Sequence, residues 1–218
     1  MLVRSAHFYH AQRGLTLLEV LLASVISSVL ILMVSRLIVS ELRVTEHLSR
    51  KIQLHQQLRA SLVLIKRSLF MAGLNASPQK SVFLQGSRTL TDVRNDTQVG
   101  YVYQGSPTAE NDFHHVVYQL TANQVGERAL RLCEKQHDRR FTFEQAASSG
   151  ESGPCFSLFD TDWIRVDAFQ VRYSPLRART GAQINTGWIA IHLSLSLVQD
   201  PSIHESADFA FLQRHWSL

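Results

Sequence analysis

The stretch Arg13-Gly14-Leu15-Thr16-Leu17-Leu18-Glu19-Val20 (RGLTLLEV) opens a long apolar run, LLASVISSVLILMV, and carries one carboxylate almost at its start. Residues 20–35 hold no charge. With Leu15–Leu18 and Leu37–Val39 the run reaches about 25 mostly apolar positions, enough for a helix to cross a bilayer, which takes roughly 20. An ionised side chain in hydrocarbon costs about 2.5–3.5 kcal/mol on insertion scales. Glu19 therefore needs a reason to be there.

Outward from this run, the charge distribution is uneven. Residues 1–14 hold Arg4 and Arg13 and no acid. The positive-inside rule then places the N-terminus in the cytoplasm. From Arg36 to Arg67 there are seven basic residues and two acids, Glu41 and Glu46. From Ser68 onward 13 basic residues face 15 acidic ones, so the formal net charge of +4 is concentrated beside the apolar run. That pattern argues against a nucleic-acid patch on a globular head and reads as a solvated helix face. No small-residue cleavage site ends the apolar segment; it runs on into a helical pattern, as a retained anchor would.

Leu48, Ile52, His55, Leu58, Leu62, Ile65 and Leu69 recur every three or four residues, the stripe of an amphipathic helix. Arg50, Lys51, Gln53, Gln57 and Ser61 make the opposite face. His55, on the stripe, reads as a satisfied core histidine. Neither Pro nor Gly interrupts the chain from Leu15 to Ala72, and Gly73, with Pro78 soon after, reads as the C-terminal stop. One helix is expected over about Leu15–Ala72, roughly 87 Å at 1.5 Å per residue. After Pro78 the period changes to two. SVFL (81–84), VGYVYQ (99–104), HVVYQL (115–120) and ALRLCE (129–134) are strand candidates. WIRVDAFQVRY (163–173) shifts phase near Asp167-Ala168, which predicts a bulge. GWIAIHLSLSLV (187–198) alternates most cleanly, with Ile189, Ile191, Leu193, Leu195 and Leu197 on one side, and DFAFLQRHW (208–216) closes the sheet. The expected fold is α+β: a long N-terminal helix, transmembrane in its first half and amphipathic in its second, packed on an antiparallel β-sheet head.

Gly14, an apolar residue, Thr16, two leucines and Glu19, before about 20 apolar positions, resemble the cleavage and methylation motif of type IV prepilins and pseudopilins. The family usually has Phe or Met where this sequence has Leu15. The resemblance implies that a prepilin peptidase cuts between Gly14 and Leu15 and methylates the new amine of Leu15. It implies a leader over 1–14, a transmembrane and assembly helix over 15–39, its amphipathic continuation over 40–74 and a periplasmic β-rich head over 75–218. It gives Glu19 an assembly role, meeting the N-terminal amine of a neighbouring subunit, with Ser24, Ser27, Ser28 and Ser35 as small polar contacts between helices. RSLFMAGLN (67–75) is similar to the helix end of the prepilin peptidase-dependent protein B and W-type minor pilins. IRVDAFQVRY (164–173) is similar to a strand of that group and of the J-type pseudopilins. The partners so implied are prepilin peptidase, other minor pilins, the major pilin and the inner-membrane assembly machinery. The implied location is the bacterial inner membrane with the head in the periplasm, then the pilus fibre. The implied function is initiation of pilus assembly in a tip complex. The rivals are a J-type pseudopilin of type II secretion and a plain single-pass protein with a β-rich binding or enzymatic head.

An extracytoplasmic head favours a Cys133–Cys155 disulfide over two free thiols. The bridge would close a 23-residue loop containing SSGESGP, for about 3 kcal/mol of loop entropy. No metal site and no cofactor is expected. Adjacent His114 and His115 point to opposite faces of a strand, His204, Glu205 and His215 are scattered, and Asp160-Thr161-Asp162 lacks the Gly and distal Glu of a calcium loop and reads as an exposed turn. Gly100, Gly105 and Gly126 read as turn or bulge residues. G-x-S-x-G, Walker and H-E-x-x-H patterns are missing from the sequence, and no catalytic residue is proposed.

Overall fold

A computed structural model describes residues 16–75, 81–105, 112–122, 126–177 and 183–213. Helix α1, Leu17–Phe70, is followed by two antiparallel sheets. Strands β1 (Thr91–Arg94), β2 (Gln98–Gln104), β3 (Phe113–Ala122), β4 (Arg128–His137) and β5 (Phe156–Ser157) form the first, in chain order. The short helix α2 (Phe143–Ala147) lies between β4 and β5 in sequence. Strands β6 (Ile164–Arg177), β7 (Gln183–Leu197) and β8 (His204–Leu212) form the second sheet, also in chain order. This is the α+β, pilin-like architecture expected. The chain divides into two compact units, one ending at Ser49 and the other starting at Arg50.

In the second unit, Leu54, Leu58, Leu62, Ile65, Leu69 and Ala72 of the helix and the following turn join one core with both sheets. The sequence stripe is corrected at its start. Leu48 and Ile52 are about half exposed (54% and 48%), and the buried face begins at Leu54. At 3.6 residues per turn, Ile52 lies about 200° round the helix from Leu54. Ser61, assigned to the polar face, falls on the buried one instead. His55 is exposed rather than core: its Nδ1 lies 3.4 Å from Glu205, which also pairs with Lys51 at 3.6 Å. Ser68 supplies the polar anchor of the buried face. Its hydroxyl meets the hydroxyls of Tyr101 and Tyr118, the latter donating at 2.9 Å. Burial raises both phenols, Tyr118 to about 12. Gly73 ends the helical turn at φ +76°, as the sequence predicted.

The β1–β2 hairpin turns on Asn95 and Asp96, both at positive φ (51° and 54°), the requirement of a type I′ turn. Its tip reaches the second sheet, the Asp96 carbonyl accepting from the Val171 N–H at 2.7 Å. The end of β8 returns to the first sheet: the buried Gln213 side chain donates to Thr91, and the Gln213 backbone carbonyl accepts from the Thr186 hydroxyl at 2.8 Å. In β6 the register slips between Val166 and Ala168, so the phase change at Asp167 is a bulge. A second slip follows Pro175, on an edge strand, where a missing N–H is tolerated.

Other sequence expectations need correction. SVFL is not a strand. It is an extended strap whose Val82 N–H donates to Gly73 and whose next residue, Gln85, donates to Phe141. Its alternate burial needs only an extended chain, not a ladder. β8 begins at His204, four residues earlier than read, and the end of DFAFLQRHW lies outside the described residues. β1, β5 and α2 were not anticipated. Val82, Leu84, Val102, Val117, Cys133, Phe143 and Ala146 make a second apolar cluster on the far face of the first sheet. The Cys133–Cys155 bond fastens this layer, with Cα atoms 4.5 Å apart. Thr142 caps α2 reciprocally with Gln145.

Gly126 has φ +85° ahead of β4, as a turn residue should. Gly105 follows the last residue of β2. Gly100 is not a turn or bulge residue but lies inside β2, opposite Val117. A Cβ there would stand 2.8 Å from Phe143 Cε2 and 3.1 Å from Val117 Cγ2. The position lets α2 approach the sheet. Gly100→Ala is expected to lower stability by about 1–3 kcal/mol through overpacking. Thermal unfolding of the full chain in micelles checks this; a midpoint equal to that of the wild type would refute the close-packing account.

Candidate functional site

Thr16 occupies the capping position of α1. Its carbonyl accepts from the N–H groups of Glu19 and Val20 at 3.0 and 3.2 Å, and its Oγ1 accepts from the Glu19 N–H at 3.3 Å. Glu19 is the third helical residue, the spacing of a capping box. An acid in a first turn also complements the helix dipole. Sequence reasoning missed this local role, although the Thr16-x-x-Glu19 spacing signals it. The carboxylate itself is exposed. Gly14 and Leu15, the other residues expected at this site, lie outside the described residues.

From Leu17 to Val39 the side chains are exposed all round the helix, and α1 is long and apolar enough to cross a membrane. Four of the five serines in and beside this segment donate their hydroxyl protons within the helix. Ser24, Ser28, Ser35 and Ser40 donate at 2.8 Å to carbonyls of Leu21, Ser24, Ile31 and Leu37 in the same helix. They present small surfaces with their polar groups already satisfied.

The model of the prokaryotic N-terminal methylation motif matches residues 9–35, a window that holds Gly14, Leu15 and Glu19. No curated protein and no solved structure matches the chain. The motif supports a type IV pilin-like prepilin, a substrate of prepilin peptidase and a structural rather than catalytic protein. The apolar helix and the motif together fit membrane anchoring of a pilin.

The remaining polar candidates disperse over the head. Asp160 and Asp162 sit in a turn in which the Asp162 N–H donates to the Asp160 carboxylate at 3.0 Å. His204 is exposed and bonded to the Ser202 carbonyl; His215 lies outside the described residues. His114 and His115 do part to opposite faces. His114 stacks on Tyr103, while His115 is fully buried against Phe141, 4.6 Å between centroids, and accepts from the Phe141 N–H at 3.0 Å. Its Nδ1 makes no hydrogen bond of normal geometry.

Burial lowers the His115 pKa from 6.5 to about 4; the Lys135 backbone opposes this, and the charges of His137, Lys135 and His114 add to it. Between those two pH values the unfolded chain binds more protons than the folded one, so stability rises with pH. The contribution is complete above about pH 6.5 and is lost as pH falls towards 4, a change of the order of 3 kcal/mol. His115→Gln keeps an acceptor for Phe141 and does not titrate. The wild-type melting temperature should therefore fall more steeply than the variant's from pH 6.5 to 4. Parallel curves would remove His115 from the pH dependence.

Proposed function

We infer that the chain is a minor type IV pilin that helps to start pilus assembly in a complex with other minor pilins. The coincidence that carries this reading is a methylation motif over residues 9–35 at the head of a 54-residue helix, whose start is apolar and exposed and whose end is buried by a β-rich body. In this reading residues 1–14 are a leader, 15–39 anchor the precursor in the inner membrane, 40–74 continue the helix, and 75–218 form the periplasmic head. Prepilin peptidase cuts Gly14–Leu15 and methylates Leu15. The local likenesses of RSLFMAGLN and IRVDAFQVRY favour a minor subunit over the bulk pilin.

Glu19 then acts between subunits. Packed among apolar helices, its charge is costly alone and strongly attracted to the amine of a processed neighbour, because the surroundings have a low dielectric. A buried charge that is satisfied in one register only selects that register. The Thr16 cap explains why an acid suits the helix start; the amine explains why it suits a fibre.

Mass spectrometry of protein from cells with and without prepilin peptidase tests the processing step. Loss of residues 1–14 and gain of one methyl group are expected only with the peptidase, and Gly14→Ala should block both. An unprocessed chain in both strains would sink the family reading. Glu19→Gln preserves shape and removes charge. This variant should still insert and be cleaved, yet lose crosslinking to neighbouring pilins and reduce the number of surface fibres. Normal crosslinking and fibre counts would leave the amine pairing unsupported; defective protein export with intact fibres would point to a secretion pseudopilin instead.

A further inference from the structure

We propose that the cleft between β4 and the start of β6 binds a carboxylate carried on a short aliphatic stem. The cleft has a volume of about 220 Å³, room for roughly seven waters. Three guanidinium side chains line it, Arg128 and Arg131 from the first sheet and Arg165 from the second. Glu127 is the acidic residue of the lining; Asp160 and Asp162, which flank Thr161, do not contribute.

The bulge in β6 organises the cations. Asp167 is skipped by the ladder between Val166 and Ala168. Its carbonyl accepts from Arg128 Nη1 at 2.7 Å and its carboxylate from Arg165 Nε at 3.0 Å. One residue thus holds two guanidinium groups while using one nitrogen of each. Each group carries five N–H donors in a planar fork, so donors remain. The Arg131 side chain makes no hydrogen bond or ion pair among the described residues. Against these three cations stand the carboxylates of Glu127 and Asp167, which leaves the cleft one net positive charge for an anion to meet.

The rest of the lining selects the kind of anion. Thr121 and Thr161 bring hydroxyls, whereas Ala129, Ile164 and Val198 bring apolar surface. A bare inorganic ion leaves the apolar surface unused. A carboxylate with a short stem, as on an acidic side chain, places its planar group against the arginine forks and its methylenes on the apolar part. The two sources of that chemistry are a free small acid and an acidic residue of a partner polypeptide. The inference is independent of the assembly role of Glu19.

Calorimetric titration of the full-length protein in micelles, at constant ionic strength, tests the site with glutarate, glutaramide, inorganic phosphate and the peptide acetyl-Gly-Glu-Gly-amide. Saturable binding of glutarate or the peptide, without binding of the uncharged glutaramide, is expected. Affinity should fall about tenfold or more, some 1.4 kcal/mol, in Arg131→Gln and in Arg165→Gln. Arg131 has no partner to lose, so its variant should melt as the wild type does. Arg172→Gln, on the outer face of the second sheet, should leave binding unchanged. Tighter binding of the peptide than of glutarate identifies a partner's acidic side chain; equal or tighter binding of glutarate identifies a free acid. Equal binding of glutaramide, tighter binding of phosphate, an equal loss in Arg172→Gln, or no saturation by any acid would overturn the proposal.

Discussion

One stripe of the helix, Leu54, Leu58, Leu62, Ile65 and Leu69, is the surface on which both sheets close. The inner faces of the sheets meet the helix and each other in a single cluster, from Val99 and Tyr118 on one side to Phe169 and Leu193 on the other. Each large apolar side chain so buried contributes about 1.5–3 kcal/mol relative to exposure. Neither sheet has this inner surface covered without the stripe. Apolar contact alone is tolerant of sliding, and the tyrosine hydroxyls at Ser68 supply the direction that it lacks. A helix displaced by one turn would bury Tyr101 and Tyr118 without their partner, at a cost of about 1–3 kcal/mol per unsatisfied group.

The two sheets differ in how they treat their second face, and their sequences say so. Strand β2 is buried on both sides, by the helix and by the layer around α2, and reads as the near-continuous run VGYVY. From Ile189 to Leu197 strand β7 buries chiefly one side, with Ser196 the buried residue of the other, and alternates as IAIHLSLSL. Alternation, the break at Gly73 and the phase change at Asp167 were legible because each is written within a few neighbouring residues. The short strands β1 and β5 carry too few residues to show a period. The cap of α2 was legible in Thr142-x-x-Gln145, yet a five-residue helix offers no apolar repeat to draw the eye. Gly100 was misread because the ring that requires it, Phe143, is distant in sequence and close only in the fold.

The same division holds for function. Gly14, Leu15 and Glu19 stand in one contiguous motif, so a one-dimensional pattern suffices to find them. The start of the buried stripe was misplaced because Leu48 and Ile52 have the right chemistry, and only the packed head decides which apolar residues it covers. The three arginines of the cleft were invisible in the sequence. They come from two sheets and converge through a bulge whose position was readable but whose consequences for Arg128 and Arg165 were not.

The serines of the first helical segment have a consequence for where that segment can reside. Ser24, Ser28, Ser35 and Ser40 give their protons to carbonyls of their own helix. No hydroxyl among these four requires a partner from outside. A helix exchanging lipid neighbours for protein neighbours ordinarily has to exchange hydrogen-bond partners too. Here these four positions carry their partners with them, so their polar accounting is the same in either medium. Glu19 and Arg36, whose side chains are exposed and ionisable, are the groups for which the surroundings matter. The segment thus combines indifference at these four serines with sensitivity towards its two ends.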